Sequence, residues 1–202
     1  MKLVFASNNA HKLEEVRKIM PAEIEVLCLR EVGFDAEIEE TGKTLEENSA
    51  IKAEAVYHWI NDQMVNDKLV NISGVFADDT GLEIDALDGR PGVYTARWAG
   101  EPAANRKKAL HELAGKENRN CQFRTVITLI KTNGERIAVS GIVRGRIATE
   151  EYGEGGFGYD PVFIPEGYDK TFGELPAEIK NSISHRARAL QALVKELQKT
   201  EK

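Results

Sequence analysis

The sequence predicts an α/β or α+β domain built on a mixed sheet, and three observations carry that expectation. The chain opens as strand, cap and helix within its first twenty residues. Its middle holds the antiparallel hairpin signal Thr132-Asn133-Gly134-Glu135. Its 202 residues, 42% hydrophobic and 30% charged, suit one domain or a compact two-lobed one with a full core. Helices mixed with strands, and a hairpin among them, exclude a pure βαβ wheel.

Leu3-Val4-Phe5-Ala6 reads as a short buried strand, and Ser7-Asn8-Asn9 supplies N-cap residue types. Leu13, Val16, Ile19 and Met20 then recur at helical spacing until Pro21. Residues 23–29 alternate loosely and predict a second strand, followed by a loop, Glu37-Ile38-Glu39-Glu40-Thr41-Gly42, with clustered acids. Thr44 with Glu47 three positions on is a capping box and opens a helix over residues 45–60. The polar, asparagine-bearing residues 61–73 predict a helix end and a loop. Val75-Phe76-Ala77 predicts a short strand that stops at Asp78-Asp79-Thr80-Gly81, and Gly89-Arg90-Pro91-Gly92 predicts a turn. A modest helix is expected over residues 105–113. Residues 121–130 form a strand with Phe123, Thr125, Ile127 and Leu129 on one face, and residues 136–147 form the return strand, with Gly141 and Gly145 as bulges or bends. A glycine-rich loop over residues 153–160 leads to a short strand, Pro161-Val162-Phe163-Ile164. Leu190, Leu193, Val194 and Leu197 mark a C-terminal amphipathic helix that begins near Ser184.

Three patterns point to chemistry. Helix starts favour acids, yet this chain places His11 and Lys12 in the first turn of its first helix, and His185, Arg186 and Arg188 in the first turn of its last. Either set is also compatible with solvated basic side chains; two in one chain favour a polyphosphate ligand. The acid pairs Glu39-Glu40 and Asp78-Asp79 are the second pattern, because adjacent like charges want a metal or a proton between them. An all-oxygen set suits Mg²⁺ bridged to substrate phosphates, whereas the bland reading of Asp78-Asp79 is an Asx-turn before Gly81. The third pattern is Gly153-Glu154-Gly155-Gly156-Phe157-Gly158-Tyr159-Asp160-Pro161, a loop fit to wrap a flat ring on Phe157, with Asp160 or loop amides reading its edge. Its alternative is a flexible loop whose aromatics pack into the core.

Several classes are excluded or weak. The glycine loop is neither a P-loop nor a dinucleotide fingerprint, because the Gly-Lys-Ser/Thr ending is missing and a strand follows it. Zinc lacks a His or Cys cluster at ligand spacing. Asp79-Thr80-Gly81 matches the aspartic-protease triplet, but in one copy and in a helix-rich chain. A net charge of −6 argues against a general nucleic-acid binder. No apolar run nears the roughly 20 residues of a membrane span, and the N-terminal apolar stretch is too short for a secretory leader. Cys28 and Cys121 are expected as two reduced, buried thiols of a cytoplasmic protein. His58, His111, Trp59 and Trp98 need no function.

Taken in order along nearly the whole chain, these blocks resemble the inosine triphosphate pyrophosphatase family. They are Ala6-Ser7-Asn8-Asn9-Ala10-His11-Lys12, Glu39-Glu40-Thr41-Gly42, Thr44-Leu45-Glu46-Glu47-Asn48-Ser49-Ala50 and Ala77-Asp78-Asp79-Thr80-Gly81-Leu82. Arg90-Pro91-Gly92-Val93-Tyr94-Thr95-Ala96-Arg97, Gly155-Gly156-Phe157-Gly158-Tyr159-Asp160-Pro161 and Ser184-His185-Arg186 complete the set.

The resemblance implies an α/β fold over residues 1–202: a mixed sheet flanked by helices, in two lobes with a central nucleotide-binding cleft. It implies Mg²⁺-dependent hydrolysis of ITP, dITP or XTP to the monophosphate and pyrophosphate, in a homodimer that binds neither nucleic acid nor membrane. Carried over position by position, it implies that Ser7, Asn8, Asn9, Ala10, His11 and Lys12 hold the triphosphate, with Lys12 also serving catalysis. Glu40, Asp78 and Asp79 then hold the metal, and Asp79 is the base that activates water. Thr80, Phe157, Gly158, Tyr159, Asp160, Lys180, His185 and Arg186 bind the rest of the nucleotide. Lys180 enters through the resemblance alone. Which of Glu39, Glu40, Asp78 and Asp79 touches the metal stays open, as does the ranking of the three nucleotides and of Mg²⁺ against Mn²⁺. The segment over residues 57–74 reads as a surface insertion relative to the family. Alternatives are a pyrophosphatase or phosphohydrolase with little base preference, and a nucleotide sensor that does not hydrolyse.

Overall fold

The computed structural model describes residues 1–65 and 71–200, so part of the proposed insertion, residues 66–70, lies outside the described residues. Strand β1 (Lys2–Phe5) leads through the Asn9 cap into helix α1 (Ala10–Ile19), where the Asn9 side chain accepts the Lys12 amide. Strand β2 (Glu25–Cys28) runs into a single helical turn, α2 (Leu29–Val32), that periodicity did not reveal because four residues carry too few repeats. Helix α3 (Leu45–Val65) extends past the expected end at residue 60. Nothing in residues 61–65 is a glycine or proline, so polarity alone does not stop the helix.

The largest departure is strand β3 (Gly74–Ile84), eleven residues that run straight through Asp78, Asp79, Thr80 and Gly81. The expected strand end and Asx-turn are therefore corrected. Nine of those eleven residues are buried, in the sheet centre, where an unpaired backbone is costly and continued pairing is the stable solution. The true turn follows a 3₁₀ segment at Asp85–Leu87: Asp88 (φ +53°) and Gly89 (φ +80°) reverse the chain into β4 (Pro91–Gly92), which pairs back on Leu82 and Glu83. Helix α4 (Pro102–Glu112) precedes the long hairpin of β5 (Asn120–Lys131) and β6 (Arg136–Ile147), closed by Gly134 at φ +85°. At Gly145 a Cβ would lie 2.3 Å from the Ile164 carbonyl oxygen, so glycine there permits a close backbone approach. Strand β7 (Phe163–Pro165) follows a 3₁₀ turn at Asp160–Val162, and helices α5 (Ala177–Ile183) and α6 (His185–Thr200) end the chain.

The sheet order is β2-β1-β3-β5-β6-β7, with β4 on β3. Strands β2, β1 and β3 are parallel, while β3–β4 and β6–β7 are antiparallel, which is the mixed sheet that the hairpin signal predicts. The chain divides into two compact units: Met1–Asp79 with Val126–Ser140 and Ala189–Lys202, and Thr80–Thr125 with Gly141–Arg188.

In the first unit strand alternation builds two cores. Leu3, Phe5, Phe76, Ile127 and Leu129 face Val16 of α1, Met20 just after it, and Leu190, Leu193 and Leu197 of α6. Val4, Ala6, Val75, Ala77 and Ile130 face the opposite way, onto Ala53, Val56 and Ile60 of α3. The second unit has one core, with Phe123, Phe163, Phe172 and Tyr159 at its centre and Leu113 of α4 packed against it. Both cysteines are free thiols; Cys121 is buried, but Cys28 is half-exposed at the start of α2, which corrects the expectation that both are buried. Among the described residues no helix is long and apolar enough to cross a membrane.

Candidate active site

Consecutive residues of a strand point to opposite faces, and this separates the two aspartates of β3. Asp78 follows Phe76 towards the face covered by α1, where Lys12 Nζ meets its Oδ1 at 2.9 Å. Asp79 follows Ala77 towards the face covered by α3, where Lys52 Nζ lies 3.5 Å from its Oδ1. Each buried acid thus has its own lysine, from the helix on its own side. The same Lys52 Nζ lies 3.3 Å from Glu40 Oε1, so Glu40 and Asp79 converge on one cation. Glu39 is exposed, whereas Glu40 is half-buried, which identifies Glu40 as the acid that the loop presents inward. Burial raises the Asp79 carboxyl above the usual aspartate range; Lys52 and Lys12 pull it back, while Glu40 and Asp78 push it further up.

Two lysines face three carboxylates here, leaving a net charge of −1 (+2 − 3) in the cluster of Lys12, Lys52, Glu40, Asp78 and Asp79. A bare polyphosphate would meet repulsion at such a site, and one divalent cation reverses its sign. Two carboxylates with an all-oxygen donor set fit Mg²⁺, which keeps several waters and takes phosphate oxygens for the rest. Among the described residues no three His, Cys, Asp or Glu side chains are grouped as a ready cage. The pair that fits is Glu40 with Asp79; Asp78 points to the opposite face, onto Lys12.

The second unit gathers a different set. The glycine loop is held from several sides. The Gly155 amide donates to the Gly173 carbonyl at 2.9 Å, and the Arg106 guanidinium donates to the Gly158 carbonyl at 2.8 Å. The Phe157 amide donates to Asp160 Oδ2 at 2.7 Å. Gly156 sits at φ +72°, and a Cβ on it would lie 2.0 Å from the same Oδ2, so only glycine fits. Lys180 Nζ donates to Asp160 Oδ2 at 2.6 Å, both groups buried, and stands 4.6 Å from the Phe157 ring centroid. The Arg186 guanidinium, almost fully buried, lies 5.9 Å from that ring and 3.4 Å from Thr80 Oγ1. Thr80 Oγ1 is itself 2.7 Å from Thr125 Oγ1. His185 stacks on Phe123 at 4.8 Å.

In the first unit Lys12 thus pairs with Asp78 on one face of β3, and Glu40 and Asp79 converge on Lys52 on the other, while Thr80, Phe157, Asp160, Lys180, His185 and Arg186 are ordered in the second unit. Asn8, Asn9, Ala10 and His11 are exposed at the start of α1, Ser7 half-buried beside them, with the Ser7 hydroxyl accepting the Asn9 amide. Tyr159 departs from the expected set: it is core, and its hydroxyl donates to the Thr95 carbonyl at 2.9 Å. The two readings of the loop aromatics therefore divide, with Tyr159 packing inward and Phe157 staying half-buried among cations. Asp160 spends its Oδ2 on the loop and on Lys180.

Sequence reasoning missed Lys52 and Thr125. The buried stripe of α3 includes Leu45, Ala53, Val56 and Ile60 but also Asn48, Ser49 and Lys52. A lysine in helical register with the apolar Leu45 and Val56 was the available signal. Thr125 gave none, since a threonine on a strand face is ordinary.

The model of the Ham1 family matches residues 3–196. The dITP/XTP pyrophosphatase of Flavobacterium johnsoniae is 45% identical over 197 residues, 96% of each chain. That of Porphyromonas gingivalis is 47% identical over 196 residues, 95% of each chain. The solved structure of the Staphylococcus aureus Ham1 protein superposes with a TM-score of 0.83 at 40% identity, covering 100% of both chains.

Proposed function

The chain belongs to the Ham1 family, and from that premise we propose that it hydrolyses the nonstandard purine nucleoside triphosphates dITP, ITP and XTP, with Mg²⁺, to the monophosphate and pyrophosphate. The names carried by its relatives support the substrate class. The observation that carries the chemistry is the convergence of Glu40 and Asp79 on Lys52, next to the Lys12–Asp78 pair.

Glu40 and Asp79 would hold Mg²⁺, which when bound neutralises the triphosphate and draws charge from the bond being broken. Lys12 and Lys52 balance the phosphate oxygens that the carboxylates would otherwise repel. Asp79 takes a proton from water as the water oxygen bonds to the α-phosphorus. The α–β anhydride bond breaks, and pyrophosphate leaves with the bond electrons. In the second unit Phe157 offers a ring face for the base, and Lys180, His185 and Arg186 offer donors for a 6-keto oxygen. Adenine presents an amino group there and would leave buried donors unmatched, which selects against it.

The test is incubation of the purified protein with ITP, dITP, XTP, ATP and GTP, with and without Mg²⁺, and identification of the phosphate product. Pyrophosphate from the first three, with ATP and GTP largely spared, is expected. Orthophosphate would move the cut to the terminal phosphate, and equal turnover of ATP would remove the base selectivity.

A further inference from the structure

We propose that Asn48 is a positioning residue: by accepting the Gly42 amide it holds the Glu39–Gly42 loop so that Glu40 faces Lys52 and Asp79. The inference deepens the metal reading above and rests on it for its functional consequence.

The first turn of α3 folds back on the acidic loop. Thr44 Oγ1 accepts the Glu47 amide at 3.1 Å, as a capping box requires. Glu47 Oε2, however, reaches the Lys43 amide at 2.5 Å, and Asn48 Oδ1 takes the Gly42 amide at 2.8 Å. The contact is close on both sides, since a Cβ on Gly42 would lie 2.5 Å from Asn48 Oδ1 and 2.7 Å from Glu47 Cβ. Two residues before Gly42 in the chain is Glu40, and one helical turn after Asn48 is Lys52, which meets Glu40 at 3.3 Å. The loop is thus tied to α3 at its backbone by Asn48 and at its carboxylate by Lys52.

The choice of residue type carries the argument further. Asn48 is fully buried, and its Nδ2 has no hydrogen-bond partner among the described residues. The obligatory Gly42 donor fixes which end of the side-chain amide faces the loop, so a flipped amide does not satisfy both. An unsatisfied buried donor is unfavourable, and a leucine of nearly the same shape would avoid it. The one thing asparagine does here that leucine does not is accept the Gly42 amide.

The experiment compares the full-length wild type with Asn48→Leu, Gly42→Ala and Thr44→Ala. It measures Mn²⁺ binding directly without nucleotide, hydrogen exchange at the Gly42 amide, and the metal-free melting temperature. Asn48→Leu should keep its melting temperature, exchange Gly42 faster and bind Mn²⁺ about tenfold more weakly. Gly42→Ala leaves Asn48 in place but drives a methyl into its Oδ1, and should weaken Mn²⁺ binding in the same way; it carries the test alone should Asn48→Leu fail to fold. Thr44→Ala should melt lower with unchanged Mn²⁺ affinity. Wild-type affinity in both Asn48→Leu and Gly42→Ala overturns the proposal, as does a lower melting temperature in Asn48→Leu with Mn²⁺ affinity intact. A wild type that binds no Mn²⁺ fails the metal reading instead; Gly42 exchange then decides, faster in Asn48→Leu upholding the tie and unchanged overturning it.

Discussion

Asp79 sits among neighbours of opposite effect: burial raises its carboxyl, two lysines lower it, and Glu40 and Asp78 raise it again. The net direction is upward, so the folded chain holds the proton more tightly than the unfolded chain does. Below the ordinary aspartate range both states are protonated and nothing is lost. As pH rises through that range towards the raised folded value, the unfolded state ionises first and stability falls. Asp79→Asn removes this penalty. In EDTA at pH 7 the variant should melt above wild type, and the gap should close on acidification through the aspartate range. Its turnover of ITP should fall about 10³-fold if Asp79 is the base, with nucleotide binding largely kept; an active Asp79→Asn enzyme overturns that role. Lys52→Met should have the opposite profile in the metal-free protein. Loss of the lysine frees two facing carboxylates to repel, so the melting temperature should drop, and kcat/KM should fall about 10²-fold.

At the scale of elements, the sheet positions acids and the helices supply their counter-ions. Strand β3 divides its two aspartates between faces, and α1 and α3 each bring one lysine to the face they cover. Helix α5 does the same for the glycine loop. Removing Lys180 as Lys180→Met would leave Asp160 charged and buried, which typically destabilises by about 3–5 kcal/mol. Chemical denaturation should detect that loss, with the ITP KM raised alongside it because the Phe157 loop loses its anchor. By contrast, Leu193→Ala on α6 touches only the core beside Phe5 and Phe76. It should lower stability by about 2–5 kcal/mol while leaving the KM for ITP unchanged at temperatures where the variant is folded.

For the molecule as a whole, the homodimer that the family resemblance implies should sediment at twice the 22.4 kDa chain mass; a monomer at assay concentration would discard that expectation. Much of the architecture was legible beforehand. The hairpin signal at Thr132–Glu135 located β5 and β6, and the glycines of residues 153–158 located the loop under Phe157. Other features escaped because their cause lies elsewhere in the chain. The continuation of β3 through four polar or small residues follows from its central place in the sheet, not from their own strand preference. Lys52 escaped because its burial is set by the sheet that α3 packs on and not by the helix's own composition.

By itself the sequence determined the family, the mixed α/β class, and the identity of the acids, cations and glycines, because motif spacing and turn chemistry are local properties. Tertiary structure alone decided that Asp78 and Asp79 part to opposite faces, that Glu40 rather than Glu39 turns inward, and that Tyr159 is core while Phe157 is not. It also decided that Asp79 is held above its usual range. Burial and pairing are created by segments distant in the chain, and desolvation exists only once those segments have closed around the side chain.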